Sequence, residues 1–148
     1  MRRPKPPAPA TGSADDVEVE FYESLQRGDI DRLMGLWSDD DEISCVHPGG
    51  PRLVGPVAIR ASFEAMFANG TIDARPEKVR RLDAHSTAVH SVLERVQVMA
   101  PDGPHSAWVI ATNVYHRTAQ GWRMVAHHAS PGTPQEVQEI IEAASTLH

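Results

Sequence analysis

The sequence holds one cysteine, Cys45, so an internal disulfide is excluded, in keeping with a reducing, cytoplasmic setting. It has no apolar run near the roughly 20 residues that cross a bilayer, so no membrane span is expected. Its opening, MRRPKPPAPATGSADD, has a basic dipeptide but prolines and alanines where an export signal needs an apolar stretch. There is no H-E-x-x-H, no C-x-x-C and no other paired spacing that gathers three metal ligands, despite eight histidines. No metal and no cofactor is therefore expected. The run Asp39–Asp40–Asp41–Glu42 lacks the calcium-loop spacing and reads as a solvated helix stop.

Positive charge is also scarce. The net charge is −6, and residues 1–14 carry Arg2, Arg3 and Lys5 without an acid, which leaves −9 for the rest. An acidic body repels phosphate backbones, so nucleic acid is not an expected partner.

What is present suits one globular domain: 148 residues, 41% hydrophobic and 23% charged. Residues 1–14 read as a Pro-rich arm, since prolines remove backbone donors and disfavour helix. Ser13 or Asp15 can cap a first helix whose stripe is Val17, Phe21 and Leu25, with Tyr22 beside it, ending at Gly28. Asp29 opens a second helix burying Ile30, Leu33, Met34 and Trp37. A short strand, EISCVHP, puts Ile43, Cys45 and His47 on one face, and Pro48 to Pro51 form a turn. A third helix spans Pro56 to Phe67. The pattern then predicts strands over 77–82, 87–99, 106–117 and 122–130, and a last helix over 134–147. Helices segregated onto one side of a sheet define an α+β domain, with room for a pocket between the layers.

Two stretches, FYESLQRGDIDRLMGLWSDDDEISCVHPGGPRLVGPVAIRASFEAMF and GWRMVAHHASPG, resemble the opening and the final strand of the NTF2-like superfamily, in its SnoaL-like, ketosteroid-isomerase-like branch. The resemblance covers roughly residues 16 to 132. It implies a cone: a curved antiparallel sheet whose concave face is covered by the N-terminal helices. The division it implies is an arm over 1–14, the domain over 15–132 and an appended helix over 133–148. This fold hosts isomerases, cyclases, dehydratases and non-enzymatic assembly domains, so it does not fix a reaction.

The resemblance also assigns positions. The isomerase's basic aspartate, directly before a proline, corresponds to His47. Its oxyanion-hole tyrosine corresponds to Phe21, which has no hydroxyl, and its acid corresponds to Asn113, whose amide can donate but not act as a strong acid. Tyr22 follows Phe21 but turns about 100° away on a helix. With all three positions changed, steroid isomerisation is not expected. A base near neutrality opposite a hydrogen-bond donor still suits enolisation of a carbonyl compound, with His47 as general base and Asn113 holding the oxygen.

Of the adjacent His127 and His128, strand alternation sends one inward; alignment through Trp122 favours His128, and a bulge would reverse the choice. Trp37 can floor the pocket or sit in the core. Tyr115 shares a face with Asn113, and Phe21 faces the same space. Cys45 is either a nucleophile beside His47 or a small buried thiol. Two functions stand side by side: a small-molecule pocket with proton-transfer chemistry, and a non-catalytic ligand-binding or homo-oligomerising module. A homodimer through the uncovered sheet face, with Val96, Val98, Val109 and Val114 contributing, fits both.

Overall fold

The computed structural model describes residues 12–133. The expected arm, apart from its last residues, and the expected C-terminal helix lie outside the described residues. Helix α1 spans Ala14–Arg27; Ser13 caps it by accepting from the Asp16 amide, and Asp15 and Asp16 sit in its first turn, where carboxylates favour the helix dipole. It ends at Gly28, whose φ of 67° is left-handed. A Cβ on Gly28 would also meet Thr71 Cγ2 at 3.2 Å. Gly28→Ala is therefore expected to cost about 1–2 kcal/mol in urea unfolding, against near neutrality for Gly35→Ala, where space is open.

Helix α2 covers Ile30–Gly35 behind its Asp29 cap, stopping before Trp37, which instead forms an isolated bridge with Met124. Strand β1 is Ser44–Val46, β2 is Arg52–Val54, and α3 is Pro56–Phe67 with its proline in the first turn. The meander follows as β3 (Asp73–Asp83), β4 (Thr87–Ala100), β5 (Gly103–Thr118) and β6 (Gly121–Pro131). The alternation at residues 77–82 marked only part of β3, and the three-residue β2, just past the Pro48–Pro51 turn, was not predicted.

The six strands form one curved sheet in the order β2-β1-β6-β5-β4-β3. All neighbours are antiparallel except β1 and β6, which run parallel, so the sheet departs from the fully antiparallel expectation at that point. Helix α1 packs against β3 and β6, and α3 against α2 and β2. Phe21, Tyr22, Leu33, Leu36, Ile59, Phe63, Val92 and Met124 fill the layer between helices and sheet. Among the described residues no helix is long and apolar enough to cross a membrane.

Register corrects the expected dimer face. Ala74, Val92 and Glu94 face the helices, and Val96 and Val98 share their alternation along β4; Val109 pairs with Glu94 and shares that side. Only Val114 belongs to the opposite face, where Leu82, Val89, Val114 and Ala126 lie in one cross-strand row.

Candidate functional site

The inward face of the sheet carries an unusual share of hydrogen-bonding side chains. One rung across the strands reads Arg81, His90, Asn113, His127, Cys45 and Leu53, each paired in register with the next. Four residues further along β4, past Val92, comes Glu94, and two residues beyond Asn113 on β5, toward the opposite end, comes Tyr115. Helix α1 lays Glu18 and Tyr22, one turn apart, over this surface.

These groups form two connected chains. In the first, the Tyr22 hydroxyl donates to Glu94 Oε2 at 2.6 Å and accepts from Asn113 Nδ2 at 3.1 Å. Asn113 Oδ1 is in turn 2.5 Å from His127 Nδ1. Because an amide oxygen only accepts, His127 carries its proton on Nδ1. In the second chain, Glu18 Oε2 accepts from the Tyr115 hydroxyl at 2.7 Å and pairs with His90 Nδ1 at 2.7 Å.

Burial sets the protonation of the first chain. It pushes the Glu94 carboxyl up to about 7, opposed by the Tyr22 hydrogen bond and reinforced by the charge of Glu18. It pushes the His127 imidazole down to about 3, with His47 and His128 adding repulsion, so His127 is neutral. Both tyrosines are held well above their ordinary range, first by burial and then by their carboxylate neighbours.

His47 lies just past β1, half-buried, its ring edge-on to Phe63 at 4.9 Å. Its Nε2 is 3.0 Å from Ser62 Oγ, and Ser62 Oγ donates its own hydrogen to the Ile59 carbonyl at 2.7 Å. Ser62 therefore accepts, His47 is protonated on Nε2, and Nδ1 keeps the lone pair. Burial lowers the His47 pKa, which keeps that lone pair free at neutral pH.

The sequence expectations meet this geometry unevenly. Asn113, Tyr115 and Phe21 are fully buried on the inward side, as is Cys45. His47 and Asn113 do not touch; ring contacts join them, from His47 to Phe63, from Phe63 to Phe21 at 6.5 Å and from Phe21 to His127 at 5.2 Å. His128 is exposed, and it is His127 that enters the interior. The cause is an extra residue: Tyr115 pairs with Met124 but Val114 pairs with Ala126, so Val125 bulges and inverts the alternation beyond it. Trp37 is buried in the core, its indole Nε1 without a hydrogen-bond partner. The Cys45 thiol is pushed up to about 12 by burial, a protonated group rather than a ready nucleophile.

Tyr22 corrects the reading that set it aside. Helix α1 is covered on two flanks, with Phe21 against Phe63 and His127 and Tyr22 against Glu94 and Asn113, so both faces 100° apart are buried. Tyr22 supplies the hydroxyl that Phe21 lacks. Glu18, His90 and Glu94 were also missed. The signal was available on β4, where His90 and Glu94 share the parity of Ala88 and Val92.

Helices over one face of a curved sheet, with a polar chain between the layers, define an α+β cone with a chemically equipped interior. The family comparison then places the chain: the SnoaL-like domain profile matches residues 15–134, and the protein belongs to that family, within the NTF2-like superfamily. No curated protein matches it. Among solved structures it is similar to a proposed calcium/calmodulin-dependent protein kinase type II association domain from Thiobacillus denitrificans, with 32% identity over 84% of this chain and 99% of the other, at a TM-score of 0.76. A proposed dehydratase of the NTF2-like family from Streptomyces avermitilis shares 31% identity over 78% of this chain and 91% of that one, at a TM-score of 0.71. The CaMKII hub of S. rosetta, at 23% identity, 85% and 99% coverage and a TM-score of 0.66, shares the fold.

Proposed function

We propose that the interior of the cone binds a small, largely apolar carbonyl compound and moves a proton at its α-carbon without a cofactor. The observation that carries this reading is Glu94, a buried carboxyl with a pKa of about 7 joined to Tyr22, Asn113 and His127. A carboxyl of this kind lowers stability above neutral pH, and such perturbed groups concentrate at sites of proton chemistry. In this reading His47 Nδ1 takes the α-proton and the electron pair moves onto the carbonyl oxygen. Asn113, through the Nδ2 hydrogen that Tyr22 does not take, meets the resulting negative charge, and the proton returns to carbon or a β-leaving group departs. Phe21, Tyr115 and Trp37 would bound the apolar part of the ligand. The relative from Streptomyces avermitilis named as a proposed dehydratase fits the same first step, since loss of water β to a carbonyl begins with α-proton removal.

Oligomerisation is the second reading. It is favoured by the similarity to kinase association domains and by the row Leu82, Val89, Val114 and Ala126 on the outer sheet face, where Leu82 is 74% exposed. Exchange of α-protons for deuterium, followed by NMR over a panel of small cyclic and aryl ketones, separates the two. The parent is expected to accelerate exchange for some of the panel, and His47→Ala to return those rates to the buffer value with its melting temperature preserved. Buffer rates for the parent across the panel, beside a defined oligomer in sedimentation, would favour the assembly module instead.

A further inference from the structure

A second cluster lies at the mouth of α1, on the far end of the Glu18 chain. His90 is fully buried, and its Nδ1 is engaged by Glu18 Oε2, which already accepts from Tyr115. A carboxylate in that position accepts from Nδ1–H and leaves Nε2 with its lone pair. That Nε2 is buried without a hydrogen-bond partner. What it faces are two more acceptors, Asp83 Oδ1 at 3.8 Å and Asp15 Oδ1 at 4.0 Å, both too far for a hydrogen bond. All three residues line a hollow of about 270 Å³, together with Ser13, Ala84 and Trp122.

Two carboxylates drawn up to a buried imidazole nitrogen are electrostatically unfavourable unless something positive, a ring proton or a bound cation, sits between them. The local charge says how much. Asp15, Glu18 and Asp83 bring three carboxylates, and Arg81, which bonds Asp15 Oδ1 at 2.7 Å, offsets one. Two negative charges remain.

We infer that Asp15, Asp83 and His90 Nε2 bind a divalent cation of the zinc type at the edge of the cone, with Glu18 orienting the imidazole. The donor set, one imidazole and two carboxylates, suits a borderline ion better than magnesium or calcium. A carboxylate behind a metal-binding histidine fixes its tautomer and ring orientation, and Glu18 is placed to do this for His90. Ligands sharing a tetrahedral zinc lie about 3.4 Å apart; Asp15, Glu18 and His90 already bring donor atoms within 4.8 Å of one another, and the exposed Asp83, 3.8 Å from Nε2, turns toward Asp15 to complete the set. The remaining coordination position opens on the hollow. No short-range spacing announces the site, because its ligands come from α1, β3 and β4. The sequence expectation of no metal rested on spacings of that kind.

Calorimetry of the full chain with zinc chloride at pH 7 tests the site. One saturable ion per chain is expected, and Asp83→Asn and His90→Gln should each weaken it by about tenfold or more. Asp83 is exposed, so its variant reports on the site even if the His90 variant fails to fold. Asp102→Asn, which breaks the exposed pair of Asp102 with His105, should leave the affinity unchanged. The inference is overturned if the parent shows no saturable binding, if Asp83→Asn binds zinc as the parent does, or if equimolar magnesium displaces it. Ketone exchange does not enter this measurement, so the two proposals fail separately.

Discussion

Glu94→Gln is expected to stabilise the protein at pH 8 by on the order of 3 kcal/mol and to leave its stability unchanged at pH 4. A carboxyl whose pKa rises from 4.5 to about 7 on folding holds its proton more tightly in the folded state. Its contribution is intact below pH 4.5 and is lost, at about 1.4 kcal/mol per pH unit, as pH climbs toward 7. The amide keeps the acceptor oxygen that Tyr22 uses and cannot ionise. His127 acts in the opposite sense: its pKa falls from 6.5 to about 3, so the unfolded chain takes a proton that the folded one refuses. That loss begins as pH drops below 6.5 and grows toward pH 3. Between pH 4.5 and 6.5 the two slopes offset each other and these groups leave the parent nearly flat. Removing either group uncovers the other. Urea unfolding at half-unit steps should show the Glu94→Gln curve rising with pH across that window and a His127→Asn curve falling. If Glu94→Gln and the parent run parallel, Glu94 does not hold its proton and the proton-transfer reading loses its support. If they diverge as expected, Glu94 is a buried acid that keeps its proton toward neutral pH in the folded state.

Phe21→Ala should remove about 3–5 kcal/mol, a large part of the roughly 5–15 kcal/mol that holds a domain of this size together. The ring is fully buried and packs edge-on to Tyr22 at 5.1 Å, against Phe63 at 6.5 Å and against the His127 ring at 5.2 Å. Its loss leaves a void where α1, α3 and β6 meet, and the Tyr22 and His127 rings beside it are held by hydrogen bonds that resist collapse into it. A drop in melting temperature of about 10–20 °C is expected by circular dichroism. A change within a few degrees would mean that this junction is not close-packed, and the ring path between His47 and His127 would no longer stand. Phe21→Leu, which restores much of the volume, should recover more than half of the loss.

The helices and the meander were legible because their signals are local: the Ser13 cap, the Gly28 terminator, the i, i+4 stripe of α1 and the alternation of β4 to β6. The interior chemistry was legible only in part. Asn113 and Tyr115 followed from parity on one unbroken strand. His128 failed because one bulged residue, Val125, reverses every inward choice after it, and a bulge leaves no mark in a run such as MVAHHAS. Tyr22 failed because a helix wedged between two layers buries two stripes rather than one. Glu18 and Glu94 failed for a different reason. An acidic residue near a helix start or on a strand reads as solvent-facing, and only the tertiary pairing of Glu94 with Tyr22, 72 residues away, turns it inward.

The parallel pairing of β1 with β6 sets an order on how the molecule is made. Ser44 meets Ala126, 82 residues on, so a long loop must close before the first residue of β1 finds its neighbour on β6. Closing so long a loop is entropically slow compared with zipping the β3–β4–β5–β6 hairpins. Loop closure of this kind favours hairpins that form first and a β1 that docks on them later, a docking that sets Cys45 beside His127 in register. A chain in which β6 has not formed carries both His47 and Glu94 but offers β1 no edge to pair with, so the imidazole proposed as base takes its place only once β6 is in the sheet.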